Sequence, residues 1–164
     1  MNDEILQVII AAYNNEESAN QALEALIQAT KDGKIDIVDA ALVDKVHDGT
    51  IHVKDTADVS TGRGAAIGGL IGGVIGLIAG PAGVVILGGA GAIVGGALTS
   101  GDEGIPDDRL YKLGESLEAG TTAVVAIVKP AWVGEVKGQL ATSSEQITTV
   151  ELSAEASAKL KDNQ

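Results

Sequence analysis

The sequence predicts an α+β fold, a ferredoxin-like sandwich split by an apolar glycine-zipper helical hairpin, and three observations point to it. Short β-rich runs alternate with amphipathic helical segments on both sides of the chain centre. Charge disappears in between: residues 1–63 hold 5 Lys/Arg and 12 Asp/Glu, residues 99–164 hold 6 and 11, and residues 64–98 hold none. Within that uncharged block glycine returns every four residues. The predicted organisation is a first half-domain at 1–60, the hairpin at 61–101 and a second half-domain at 102–164.

Leu6 to Tyr13 is β-rich and reads as the first strand. Asn14-Asn15-Glu16-Glu17 has the chemistry of a capped helix start, followed by Ala19, Ala22, Leu23, Leu26 and Ile27 at helical spacing. Ile35 to His47 reads as a strand, Asp48-Gly49 as a two-residue turn and Thr50 to Lys54 as the returning strand. Beyond the block, Pro106 opens a helix carrying Leu110, Leu113 and Leu117. Thr121 to Val128 is a near-continuous apolar strand. Pro130 starts a helix with Trp132, Val133, Val136 and Leu140, and Gln146 to Leu152 is the last strand. Ser153 to Leu160 adds a short helix. This order, β-α-β-β, insertion, α-β-α-β, predicts helices on one face of a sheet whose other face a second copy covers.

The central block, Gly64 to Leu98, contains 13 Gly, 7 Ala, 14 Ile/Leu/Val and Pro81, without a hydroxyl, amide or aromatic group. Flexible linkers are polar, so this segment demands burial. One continuous helix would run about 52 Å, too long for a hydrocarbon core of about 30 Å. Gly80-Pro81-Ala82-Gly83 breaks it, with Pro81 at the hairpin turn between two helices of roughly 16 residues. Gly64, Gly68, Gly72, Gly76 and Gly80 share one face of the first arm, and Gly83, Gly91 and Gly95 mark the second. Bare backbone along one face lets helices approach closely. In water each glycine costs a helix about 1 kcal/mol, so without intimate packing the block would lose on the order of 10 kcal/mol. The remaining faces are apolar too, which leaves a membrane or an oligomer as the burying medium.

The composition also excludes chemistry. With 164 residues, a net charge of −12 and no cysteine, the chain has no thiolate nucleophile and no iron–sulfur or zinc-ribbon site. The acidic balance removes the main driving term for nucleic-acid binding. The opening residues lack a basic region, so a cytoplasmic start is expected. His47 and His52 flank the Asp48-Gly49 turn, and a two-residue loop would set His52 opposite Lys45 with both imidazoles on one face. Two ligands beside Lys45 and Lys54 make a poor metal site, so a solvated polar face is expected. Glu16, Glu17, Asp36, Asp39, Asp44, Asp107 and Asp108 read as solubilising charges. Glycine registers at 62/64 and 89/91 meet Ile67 and Val94 where a dinucleotide loop needs a third glycine. Ser143 and Ser144 lack a nucleophile-elbow context, and Trp132 reads as a core anchor.

A split α+β domain carrying Arg63-Gly-Ala-Ala-Ile-Gly-Gly-Leu-Ile-Gly-Gly-Val-Ile-Gly-Leu-Ile-Ala-Gly-Pro81, then a charged helix and an apolar strand, resembles the prokaryotic family called domain of unknown function 1269. Its members are usually described as membrane proteins, and the resemblance implies an architecture, with a stress association in some relatives and no catalytic residues to transfer. The expected function is therefore non-enzymatic scaffolding without a cofactor. Copies of the chain would assemble through the hairpins in or on a bilayer, at the inner membrane with the acidic domain on the cytoplasmic side. A soluble ring, cage or filament with protein-buried hairpins is the first alternative, and a small-ligand or metal-binding module the second.

Overall fold

A computed structural model describes residues 5–45, 51–56, 84–87, 92–95 and 118–151. Strand β1 is Gln7–Tyr13, helix α1 Glu16–Lys31, β2 Ile37–Lys45 and β3 Ile51–Thr56. Strands β4, Val84–Leu87, and β5, Ala92–Gly95, follow. Then come β6, Thr121–Val128, a 3₁₀ turn at Pro130–Trp132, helix α2 at Val133–Ala141 and β7 at Gln146–Glu151. The seven strands form one sheet in the order β5-β4-β3-β2-β6-β1-β7. The five from β3 to β7 are antiparallel throughout; β4 joins β3 in parallel and β5 returns antiparallel to β4.

Helix α1 forms where its caps dictate. Asn15 sits at the N-cap in extended backbone, and its side chain accepts from the Ser18 amide at 2.8 Å, with Glu16 and Glu17 on the positive end of the helix dipole. At the other end Gly33 takes φ +70°, its amide reaches Thr30 O at 3.1 Å and the Lys34 amide reaches Ala29 O at 2.9 Å. That pair of bonds is a Schellman closure, which needs the left-handed residue that glycine supplies. The inward stripe Ala19, Ala22, Leu23, Leu26 and Ala29 is buried. It meets Val136 and Leu140 of α2 over Ile9, Ala11, Leu42, Val124, Ala126 and Val128 of the sheet. Of the expected inward positions, Ala19, Ala22, Leu23, Leu26, Val136 and Leu140 are buried, whereas Ile27, Trp132 and Val133 are only partly buried against the same core.

Two expectations are corrected by the backbone. The sequence predicts a helix for the second arm of the block, yet Val84–Leu87 and Ala92–Gly95 are paired strands, with Val84 opposite Gly95 and Leu87 opposite Ala92. Consecutive β-branched residues favour extended backbone, and every glycine counts against a helix, so the local preference overrides the four-residue spacing. Gly95 therefore lies in a strand and not on a helix face. Gly64, Gly68, Gly72, Gly76, Gly80, Pro81, Gly83 and Gly91 lie outside the described residues, as do the helices expected from Pro106 and from Ser153.

The second correction concerns the sheet face away from the helices. Val8, Ile10, Ala41, Val43, Val125 and Ile127 occupy that face by alternation, and none is more than 1% exposed in the single chain. A second copy is not required to bury it. Such two-sided burial explains why β1 and β6 read as continuous apolar runs without polar alternation.

Candidate functional site

One group of polar side chains lies at one end of four neighbouring strands. His52 on β3 faces Asp44 on β2, Asp44 faces Thr122 on β6, and Thr122 faces Tyr13 on β1. Opposed residues of antiparallel strands share a face, so the four form a row across the sheet. Thr122 is buried, and its hydroxyl donates to Asp44 Oδ1 at 2.5 Å. The Tyr13 hydroxyl points away from the row and donates to Leu140 O at 3.1 Å, tying the end of β1 to the last turn of α2. Burial pushes the Tyr13 phenol up to about 12, so it stays protonated.

The row exists because of one register choice. Lys45 pairs with Ile51 and Asp44 with His52, so His52 does not stand opposite Lys45 as a two-residue turn would place it. This register sets Val53 against Val43, whereas the tighter turn would set it against Asp44. A slip of one residue exchanges the faces of a whole strand, and the apolar pairing decides. Gly120 helps fix the other side: at φ +84° its amide donates to Lys45 O at 2.5 Å, which starts β6 level with the end of β2. His47 lies outside the described residues.

Chemically, the row joins a carboxylate, a hydroxyl that donates a hydrogen bond to that carboxylate, and an imidazole one strand away. Because Thr122 is the donor to Asp44, its oxygen is held as a hydrogen-bond partner of the carboxylate. No group of three His, Asp or Glu among the described residues is placed to hold a metal ion.

A second polar feature is Asp39, on the opposite face of β2. There the register steps from Ile37 opposite Val128 to Asp39 opposite Ile127, an extra residue in β2. The bulge lets Ile37 and Ala40 both face the helices and leaves Asp39 on the apolar far side. Its carboxylate accepts from the Ala40 amide at 2.8 Å, and desolvation nevertheless raises its pKa from 3.8 to about 6. The sequence makes Asp39 and Asp44 solvated charges; in the fold both are half-buried, one on each face. Sequence spacing gives no sign of this, because the bulge breaks the alternation that would assign their sides. Thr122, at the start of a strand that is apolar from Ala123 onward, is a visible hint.

These features define a class: an acidic α+β protein with its described helices on one sheet face, core strands buried on both faces, and a short polar row at one sheet end. Comparison with known families places it more closely. A model described as a protein of unknown function, DUF1269, matches residues 65–163, and the chain belongs to that family. No curated protein and no solved structure matches it. The matched region takes in β4 to β7 and leaves β1, α1, β2 and β3 outside.

Proposed function

We propose that this chain is a non-enzymatic scaffold that associates with copies of itself through the uncharged block at residues 64–98. One observation carries the reading: β4 and β5, both from the block, extend the acidic domain's sheet beyond β3, and β5 is its terminal strand among the described residues. Two stretches of the charge-free segment, Val84–Leu87 and Ala92–Gly95, are thereby part of the domain's own sheet. Gly64, Gly68, Gly72, Gly76 and Gly80, at four-residue spacing, supply the close contact between neighbouring chains.

An open sheet edge does not lie in hydrocarbon, where its N–H and C=O groups would find no partner. The strands of the block therefore favour the soluble ring, cage or filament over the bilayer. The membrane reading draws its support from the composition of residues 64–80; no helix among the described residues is long and apolar enough to cross a membrane. Within the domain, a ferredoxin-like plan is supported by the order β2-β6-β1-β7, with α1 joining β1 to β2 and α2 joining β6 to β7.

Light scattering after size exclusion, with and without detergent, tests the proposal against the chain mass of 16.5 kDa. Lipid-free particles of several chains are expected, and a monomer under both conditions overturns self-association. Material that floats with vesicles and is uniform only in detergent establishes the bilayer reading instead. The double substitution Gly72→Leu/Gly76→Leu is expected to reduce the particle mass while far-ultraviolet circular dichroism keeps its α+β signal. Unchanged mass would remove the glycine stripe from the interface.

A further inference from the structure

Among the described residues β5 and β7 are the two terminal strands of one continuous ladder, and their polarities are fixed by the pairing. β7 is antiparallel to β1; β2 runs with β1 because β6 opposes both. β3 and β4 run against β2, and β5 runs with it. The two terminal strands, β5 and β7, therefore point in opposite directions. A copy displaced sideways along the sheet brings its β7 beside β5 in antiparallel orientation, the geometry that the five core strands already use.

We propose that β5 of one chain pairs with β7 of the next, a head-to-tail contact between copies that continues the sheet from subunit to subunit. This deepens the scaffold reading above and rests on it. Natural sheets protect their edges with lysine, proline, bulges or very short strands. β7 has none of these: Gln146–Glu151 pairs with β1 over six positions without a register break and contains no Lys or Pro. Ile147, Thr148 and Thr149 along it are half-buried, and the four residues Ile147 to Val150 carry no charge. β5, Ala92–Gly95, is equally uncharged.

Charge and register favour this pairing over the two symmetric ones. Opposed residues share a sheet face, so a strand related to its copy by a two-fold axis pairs only positions of equal parity. The four residues of β5 then find partners at three positions on a second β5, but at all four on the six-residue β7. Two β7 strands centred on Thr148 would set Glu145 against Glu151, and centred on Thr149 they would set Glu151 against Ile147. Between chains of net charge −12, the head-to-tail contact opposes uncharged positions at all four residues of β5, one more than a second β5 offers.

The absence of cysteine makes the test clean. Single variants Ala92→Cys, Ile93→Cys and Val94→Cys would each be mixed with Thr148→Cys or Thr149→Cys, one of the pair carrying a size tag, and oxidised. A cross-linked dimer containing one chain of each kind is expected for at least one combination. The same two cysteines on one chain should give a ladder of dimers, trimers and longer species. Each single variant alone should stay at the mass of one chain. Equal cross-linking of a β7 variant with itself, or none in any combination, overturns the proposal. In a second readout Ile93→Lys and Thr148→Lys should each lower the particle mass alone and form dimers when mixed, because each retains the edge that the other has lost. If Gly72→Leu/Gly76→Leu dissolves the particle while no edge cysteines cross-link, glycine-mediated association stands and the edge pairing falls. Cross-linking that survives the leucine substitutions leaves the edge pairing standing without the glycine contact.

Discussion

Asp39 sits on the sheet face away from the helices because the extra residue in β2 turns it there, and its raised pKa has a consequence for stability. In the unfolded chain the carboxyl titrates near 3.8, in the folded chain near 6. Between those values the folded state binds more protons, so Asp39 lowers stability as pH rises through that window, fully so above 6. Asp39→Asn keeps an oxygen for the Ala40 amide and cannot ionise. The substitution is expected to stabilise the protein at pH 7.5 by about 1 kcal/mol, a figure reduced for partial solvent access, and to change nothing below about pH 4. Urea melts at the two pH values measure it; an equal effect at both would mean the carboxylate charge is not the cause. Charge type is legible at this position, but environment is not. Asp36, Asp39 and Asp44 look alike in the sequence, and only the bulge and the β2–β3 register separate their surroundings.

Helix α1 shows how far local rules reach on the scale of a single element. Its cap and most of its inward stripe are read from the sequence, because each depends on residues within a few positions; the closure at Gly33 is seen only in the structure. Asn15→Ala removes the acceptor for the Ser18 amide and is expected to cost about 1 kcal/mol, seen as a lower midpoint in thermal or urea unfolding with the α+β spectrum retained. A loss below a few tenths would mean that water replaces the cap. β6 is equally plain: its bounds, Thr121–Val128, agree with the sequence reading to the residue. The second arm of the block is not. Glycine at every fourth position is a helical signal only if the residues between tolerate a helix, and Val84-Val-Ile-Leu does not impose one. Where two periodicities compete in an uncharged segment, pairing with a distant strand decides, and a single sequence does not contain that partner's register.

At the scale of the whole molecule, the net charge of −12 sets the terms on which copies meet. Association through uncharged strands works against mutual repulsion, and the screening length falls from about 30 Å at 0.01 M salt to about 8 Å at 0.15 M. Particle mass is therefore expected to rise with sodium chloride across that range. A mass that falls instead would show that opposite charges hold the assembly together, contrary to the edge and glycine contacts. The layer arrangement is legible from amphipathic stripes and apolar runs. Burial of the far sheet face is not, since continuous apolar strands say that both sides are covered without saying by what. The polar row His52–Asp44–Thr122–Tyr13 is hidden for the same reason: it assembles residues from four strands and depends on three independent registers.

The placement of β6 between β2 and β1 carries a timing consequence for biosynthesis. The first two large strands leave a ribosome early, yet they do not touch each other in the finished sheet; the slot between them stays vacant until residues 121–128 have been translated. By then the greasy, charge-free stretch has already emerged. Nascent chains thus expose their stickiest segment before the sheet that it joins can close, and contacts so distant along the chain form slowly.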